Sequence, residues 1–165
     1  MRWMPVKRYY LAFLTCVFVL CSAIYIKNIV EQKIVLAENA PKAQVIVENK
    51  SYPMYMGSYC WRGVENQSKC VNSLGAVKLA RSKKVISVNS GERLKLNIVS
   101  HLKPNETSLY LVNGNKEKNV ILKKNVFRAP LEKGTYYYTF GAWWEADYNI
   151  MSSGNAFYLF ALTVT

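Results

Sequence analysis

Tyr9 to Ile26 is a run of 18 residues with no charge, proline or glycine, and it constrains the chain more than any other feature. As an α-helix it rises about 27 Å, close to the hydrocarbon thickness of a bilayer. Arg2, Lys7 and Arg8 precede it. Basic residues mark the cytoplasmic side, so the N-terminus is expected in the cytoplasm and everything past Ile26 outside it. Trp3, Tyr9, Tyr10 and Tyr25 supply rings suited to the two interfaces. A cleaved signal peptide has a similar layout. However, its best site here, Cys21-Ser22-Ala23, is followed by Ile24-Tyr25-Ile26, which stays apolar where a cleavage region turns polar. The expectation is a single-pass, uncleaved signal anchor over 9–26 behind a basic flank over 1–8. Cys16 and Cys21 lack the small preceding residues of a lipoprotein signal and read as small apolar helix residues.

Residues 27–42 mix charges and end in Glu38-Asn39-Ala40-Pro41-Lys42, the composition of a short stalk, with Ile26, Ile29, Val30 and Lys33 at the spacing of a helix near the membrane. Residues 43–165 then remain for one extracytoplasmic domain with a single core. Their apolar pattern has the period of strands. Val45-Ile46-Val47 is a β-branched run, Leu94, Leu96 and Ile98 alternate with Lys95 and Asn97, and Leu109 and Leu111 flank Tyr110. Gly134–Trp144 and Ala156–Thr165 are longer and aromatic. Ser90-Gly91-Glu92 and Lys133-Gly134 read as turns, and Asn113-Gly114 has the chemistry of a two-residue hairpin. The fold class expected is mainly β, an immunoglobulin-like antiparallel β-sandwich behind one transmembrane helix. Within Thr135–Glu145, Tyr136, Tyr138, Phe140, Ala142 and Trp144 share one face, and Tyr137, Thr139, Gly141 and Trp143 the other. One face belongs on the core; the other is either covered or a sticky surface. Residues 146–155 are expected to connect this strand to the last one as a hairpin.

Cys60 and Cys70 are the only cysteines past the apolar run. In an oxidising compartment they are expected to form a structural disulfide. Free thiols are one alternative. A metal site lacks further ligands, His101 being the only histidine. The CxxC spacing of redox-active thiols is absent.

Gly57-Ser58-Tyr59-Cys60-Trp61 with Cys70, then Ser90-Gly91-Glu92, Phe127-Arg128-Ala129-Pro130 and Gly134-Thr135-Tyr136, resembles small extracytoplasmic proteins of Bacillus-like Firmicutes. The resemblance covers roughly residues 43–165 and implies a membrane-anchored or lipid-anchored domain. The chain departs from lipid-anchored members in lacking a lipobox, which leaves anchoring to the apolar run.

Catalytic groups do not converge in the sequence. His101 sits in a loop-like context without a paired nucleophile. Glu145 and Asp147 follow Trp143-Trp144 and are the one pair of acids that could flank a sugar bond. No nucleotide-binding glycine loop, HExxH or calcium loop is present, so neither an enzyme nor a cofactor is expected. Binding is the better reading. The chain has 22 basic and 10 acidic residues, for +12; after Ile26 the balance is 19 to 10, or +9. Lys78, Arg81, Lys83 and Lys84 form one basic cluster, and Lys116, Lys118, Lys123 and Lys124 another. Trp61, Trp143, Trp144 and Tyr137 are candidate ring platforms for sugars or protein. Export removes nucleic acid as a partner and leaves the membrane, an anionic envelope polymer or lipid headgroups, or another envelope protein. The oligomeric state stays open. Sequons at Asn49, Asn66 and Asn105 matter only in a eukaryotic secretory pathway.

Overall fold

The computed structural model describes residues 6–63, 68–73, 84–114, 116–145 and 153–165. The chain separates into two compact units, Met1–Val35 and Leu36–Thr165. The first is dominated by helix α1, Val6–Glu38. With no proline or glycine to interrupt it, α1 runs 33 residues, about 50 Å. Helix continues past residue 27, through most of the segment expected to be a stalk. Its Leu11–Val30 stretch has a mean hydropathy of 2.0 and no buried residue. The Thr15 and Ser22 hydroxyls donate to the carbonyls of Ala12 and Val19, so these two polar groups are satisfied by the helix itself. By length and composition the helix can cross a membrane, as an anchor or as a signal sequence.

Past the end of α1, the regular structure of the second unit's described residues is all β. In chain order its strands are β1 Lys42–Val47, β2 Lys50–Pro53, β3 Tyr55–Arg62, β4 Ser68–Val71, β5 Ile86–Val88 and β6 Arg93–Val99. They continue with β7 Glu106–Asn113, β8 Lys116–Asn119, β9 Val126–Arg128, β10 Gly134–Trp144 and β11 Ser153–Val164. A four-stranded antiparallel sheet has the order β2-β1-β6-β9. A seven-stranded sheet has the order β4-β3-β11-β10-β7-β8, with β5 running parallel to the end of β11 at Leu162–Val164. β10 and β11 pair antiparallel along their whole length, from Gly134–Val164 to Trp144–Gly154, as the hairpin reading required.

The alternation seen in the sequence decides which side chains meet. Val45, Val47, Leu94, Leu96, Ile98 and Phe127 face inward from the small sheet. From the large sheet come Leu109, Tyr138, Phe140, Trp144, Tyr158, Phe160 and Leu162, and the two sets form one core. Phe127 bridges the sheets, its ring 5.4 Å from Tyr138 and 6.2 Å from Phe160. Tyr138 and Phe160 stack at 5.1 Å. Each ring of this size removes a large apolar area from water, the main driving force for a domain of this length. The Tyr158 hydroxyl donates to the Pro41 carbonyl, fixing the segment that enters β1. Burial pushes the Tyr158 phenol well above its ordinary pKa, and burial followed by the nearby Tyr136 does the same to Tyr138.

Two turns depart from the sequence reading. Asn113 pairs with Lys116, so the β7–β8 turn holds Gly114, at φ +61°, one position later than an Asn113-Gly114 turn. β2, absent from the expected strands, pairs with β1 through Glu48 and Asn49, both at positive φ.

Candidate interaction surfaces

Cys60 and Cys70 form a disulfide, as the sequence reading expected. They are direct cross-strand partners on β3 and β4, with Cα atoms 4.1 Å apart. β4 is an edge strand, exposed along its four residues. The bridge therefore pins the edge of the large sheet. It is also exposed, with Cys60 and Cys70 both open to solvent.

The candidate ring platforms do not survive together. Trp61 is 1% exposed and Trp144 3%. Their rings meet edge to face at 5.2 Å, and Trp144 Nε1–H donates to the Leu102 carbonyl. Both face the core because β3 and β10 each turn that side inward, so neither can stack on a ligand. Trp143 and Tyr137 lie on the outward face of β10 and are half-buried. There Trp143 lies against Gly141, where a Cβ would sit 2.5 Å from the ring carbon Cη2. It also packs edge to face on Phe157, at 5.6 Å. Around these rings the outward face is largely closed, since Val112, Thr139, Leu159 and Ala161 are buried on it. The hydroxyls of Thr139 and Ser108, on adjacent strands of this face, are buried without a hydrogen-bond partner.

Glu145 is exposed, and its backbone N–H donates to Asn105 Oδ1. Asp147 lies outside the described residues, as do Asn66, Lys78, Arg81 and Lys83. Lys84 is described and exposed. His101 is exposed in the β6–β7 loop. No group of three or more potential metal ligands occurs among the described residues. An open cleft of about 180 Å³ lies between the β1–β2 turn and the start of β6, lined by Glu48, Lys50, Asn89 and Glu92 among others. Glu92 there accepts the Asn89 backbone N–H at 2.6 Å, the role of a turn-closing carboxylate.

The sequence reading passed over the outward face of the small sheet, because its cations are scattered along the chain. Register brings together Lys42 from β1, Arg93 and Lys95 from β6 and Arg128 from β9, all exposed. No acidic residue occupies an outward position on these four strands. The period-two alternation of β6, with Leu94, Leu96 and Ile98 buried, was the signal that could have grouped them.

No known protein family, curated protein or solved structure matches this chain. What these surfaces do is decided by their own chemistry. An open cationic sheet face can hold anions; a mostly closed aromatic face offers the partial surfaces of Trp143, Tyr137, Tyr110 and Phe157.

Proposed function

We propose that this is a single-pass membrane protein, N-terminus cytoplasmic, whose domain over 43–165 lies outside the membrane and acts without catalysis by holding an anionic partner of the cell envelope. The observation that carries this reading is the outward face of the β2-β1-β6-β9 sheet, with four exposed cations and no acid. The 20-residue apolar stretch of α1 supports the anchor, and the Cys60–Cys70 disulfide suits an oxidising compartment. The resemblance to small extracytoplasmic Firmicutes proteins points to the same location. Two sheets sharing one core support an immunoglobulin-like β-sandwich.

The test compares charge reversals that differ only in place. Full chain in detergent is applied to a phosphate-bearing matrix and eluted with salt. K95E/R128E, on the face, is expected to elute at clearly lower salt than K116E/K118E, which changes the charge equally on β8. Equal elution of the two variants removes the face from the reading.

A second reading, a sensing or inhibitory module that binds another envelope protein, is favoured by half-buried Trp143 and Tyr137 beside the unpartnered hydroxyls of Thr139 and Ser108. Crosslinking from membranes distinguishes it, since a Trp143→Ala chain is then expected to lose a protein adduct that salt does not disrupt.

A further inference from the structure

On the small sheet's outward face, Arg93 stands directly opposite Arg128. Lys95 lies between Ile46 and Val126, and Lys42 opposes Val99. Like charges directly across a strand pair are destabilising, and none of these four cations has an ion-pair partner among the described residues. Arg128 only donates to the Gly91 carbonyl, at 2.9 Å. Of the acids close in sequence, Glu48 and Glu92 sit in turns at one end of the sheet, Glu132 lies exposed in the β9–β10 loop and Glu38 ends α1. The arrangement gains stability when anions come to it. It also interleaves cations with apolar side chains: Ile46 and Val126 are half-buried and Val99 is 49% exposed.

We infer that this face docks on an anionic lipid bilayer, a step that rests on the membrane-anchored reading and names its partner. A flat surface mixing cations with part-exposed aliphatic groups matches the headgroup boundary, where charge attraction and apolar burial act together. A linear polyanion meets the charges but leaves the aliphatic groups in water. Connectivity also favours the bilayer. Eleven residues separate Val30, the end of the apolar stretch, from Lys42, and helix accounts for those up to Glu38, about 12 Å. A face tethered this closely meets the membrane at high effective concentration, so weak contacts suffice.

Full chain is reconstituted in nanodiscs of neutral phosphatidylcholine, with or without phosphatidylglycerol, and the acylation rate of each lysine is followed by mass spectrometry. In the anionic discs Lys42 and Lys95 are expected to react roughly threefold or more slowly, with Lys116 and Lys118 unchanged. Salt near 1 M, where the Debye length is about 3 Å, is expected to erase the difference. R93E/R128E is expected to abolish protection at Lys42 and Lys95, while an intact Cys60–Cys70 disulfide, read by non-reducing mass mapping, reports that the variant has folded. Equal rates at Lys42 and Lys95 in both discs, or equal slowing at every lysine, overturn the docking. A soluble poly(glycerol phosphate) added to neutral discs separates the two levels of the argument. Protection by the polymer but not by the lipid overturns bilayer docking and leaves the anionic-partner reading standing. Protection by neither overturns both.

Discussion

Trp143 and Trp144 are neighbours in the chain with opposite fates, and the difference is the alternation of a strand. Trp144 faces the core and meets Trp61; Trp143 faces outward and lies against the bare Cα of Gly141. The sequence predicts that the two rings point to opposite sides. It does not say which side is the core, because both faces of β10 are aromatic. Thr139 shows the same ambiguity at another position. It is 8% exposed and its hydroxyl lacks a partner. A buried unsatisfied hydroxyl costs about 1–3 kcal/mol, and valine keeps the branched shape that a strand prefers. Thr139→Val is therefore expected to raise stability by about 1 kcal/mol, read as a higher denaturant midpoint. The core phenols make a separate prediction. Tyr138 and Tyr158 are held protonated by burial, whereas in the unfolded chain they ionise near pH 10. Above that pH the unfolded state releases protons that the folded state keeps, so their contribution is complete below about pH 10 and falls as pH rises. Stability measured against pH is expected to drop from there, less steeply in Tyr138→Phe.

Among the elements, the strands with a clear β-branched run or period-two pattern were legible; the shortest ones were not, nor was eight-residue β3, whose burial does not alternate. β10 and β11 carry 11 and 12 residues of alternating pattern, and their pairing followed from proximity in sequence. β2, β8 and β9 have four residues or fewer, too short for a period to show. Their turns left a signal in Asn49 and Asn125, both at positive φ, a conformation that asparagine tolerates better than most residues. β4 is equally short and fully exposed, with no core contact to hold it. The ladder to β3 and the disulfide hold it instead, and Gly154 lets β11 come close to the same segment. A Cβ there, at φ +155°, would lie 2.2 Å from the Cys60 carbonyl oxygen. The bridge closes a loop of ten residues' separation, which in the chain-entropy model contributes roughly 2–3 kcal/mol. C60S/C70S is expected to lose up to about that amount in chemical unfolding. Hydrogen exchange is expected to quicken first at residues 59–62 and 68–71, with β10 and β11 still protected. Uniform quickening across the domain argues against a local role for the staple.

Over the whole molecule, the division into an apolar helix and a β domain is written in composition and periodicity. Topology is tested directly: in intact protoplasts, protease is expected to digest the domain over 43–165 from outside. A domain protected until the membrane is lysed reverses the orientation. The apolar run of 18 uncharged residues, with no proline or glycine, is read as a helix from the sequence alone, and α1 contains it. The strand periods, the cysteine pair and the net charge of the part past Ile26 were likewise local properties, readable one segment at a time. Where the charges gather was not. Lys42, Arg93, Lys95 and Arg128 are spread over 87 positions and become one surface only when β1, β6 and β9 take their register. Which aromatic face closes is decided the same way, because burial depends on the sheet packed opposite and a period-two pattern carries no information about that partner.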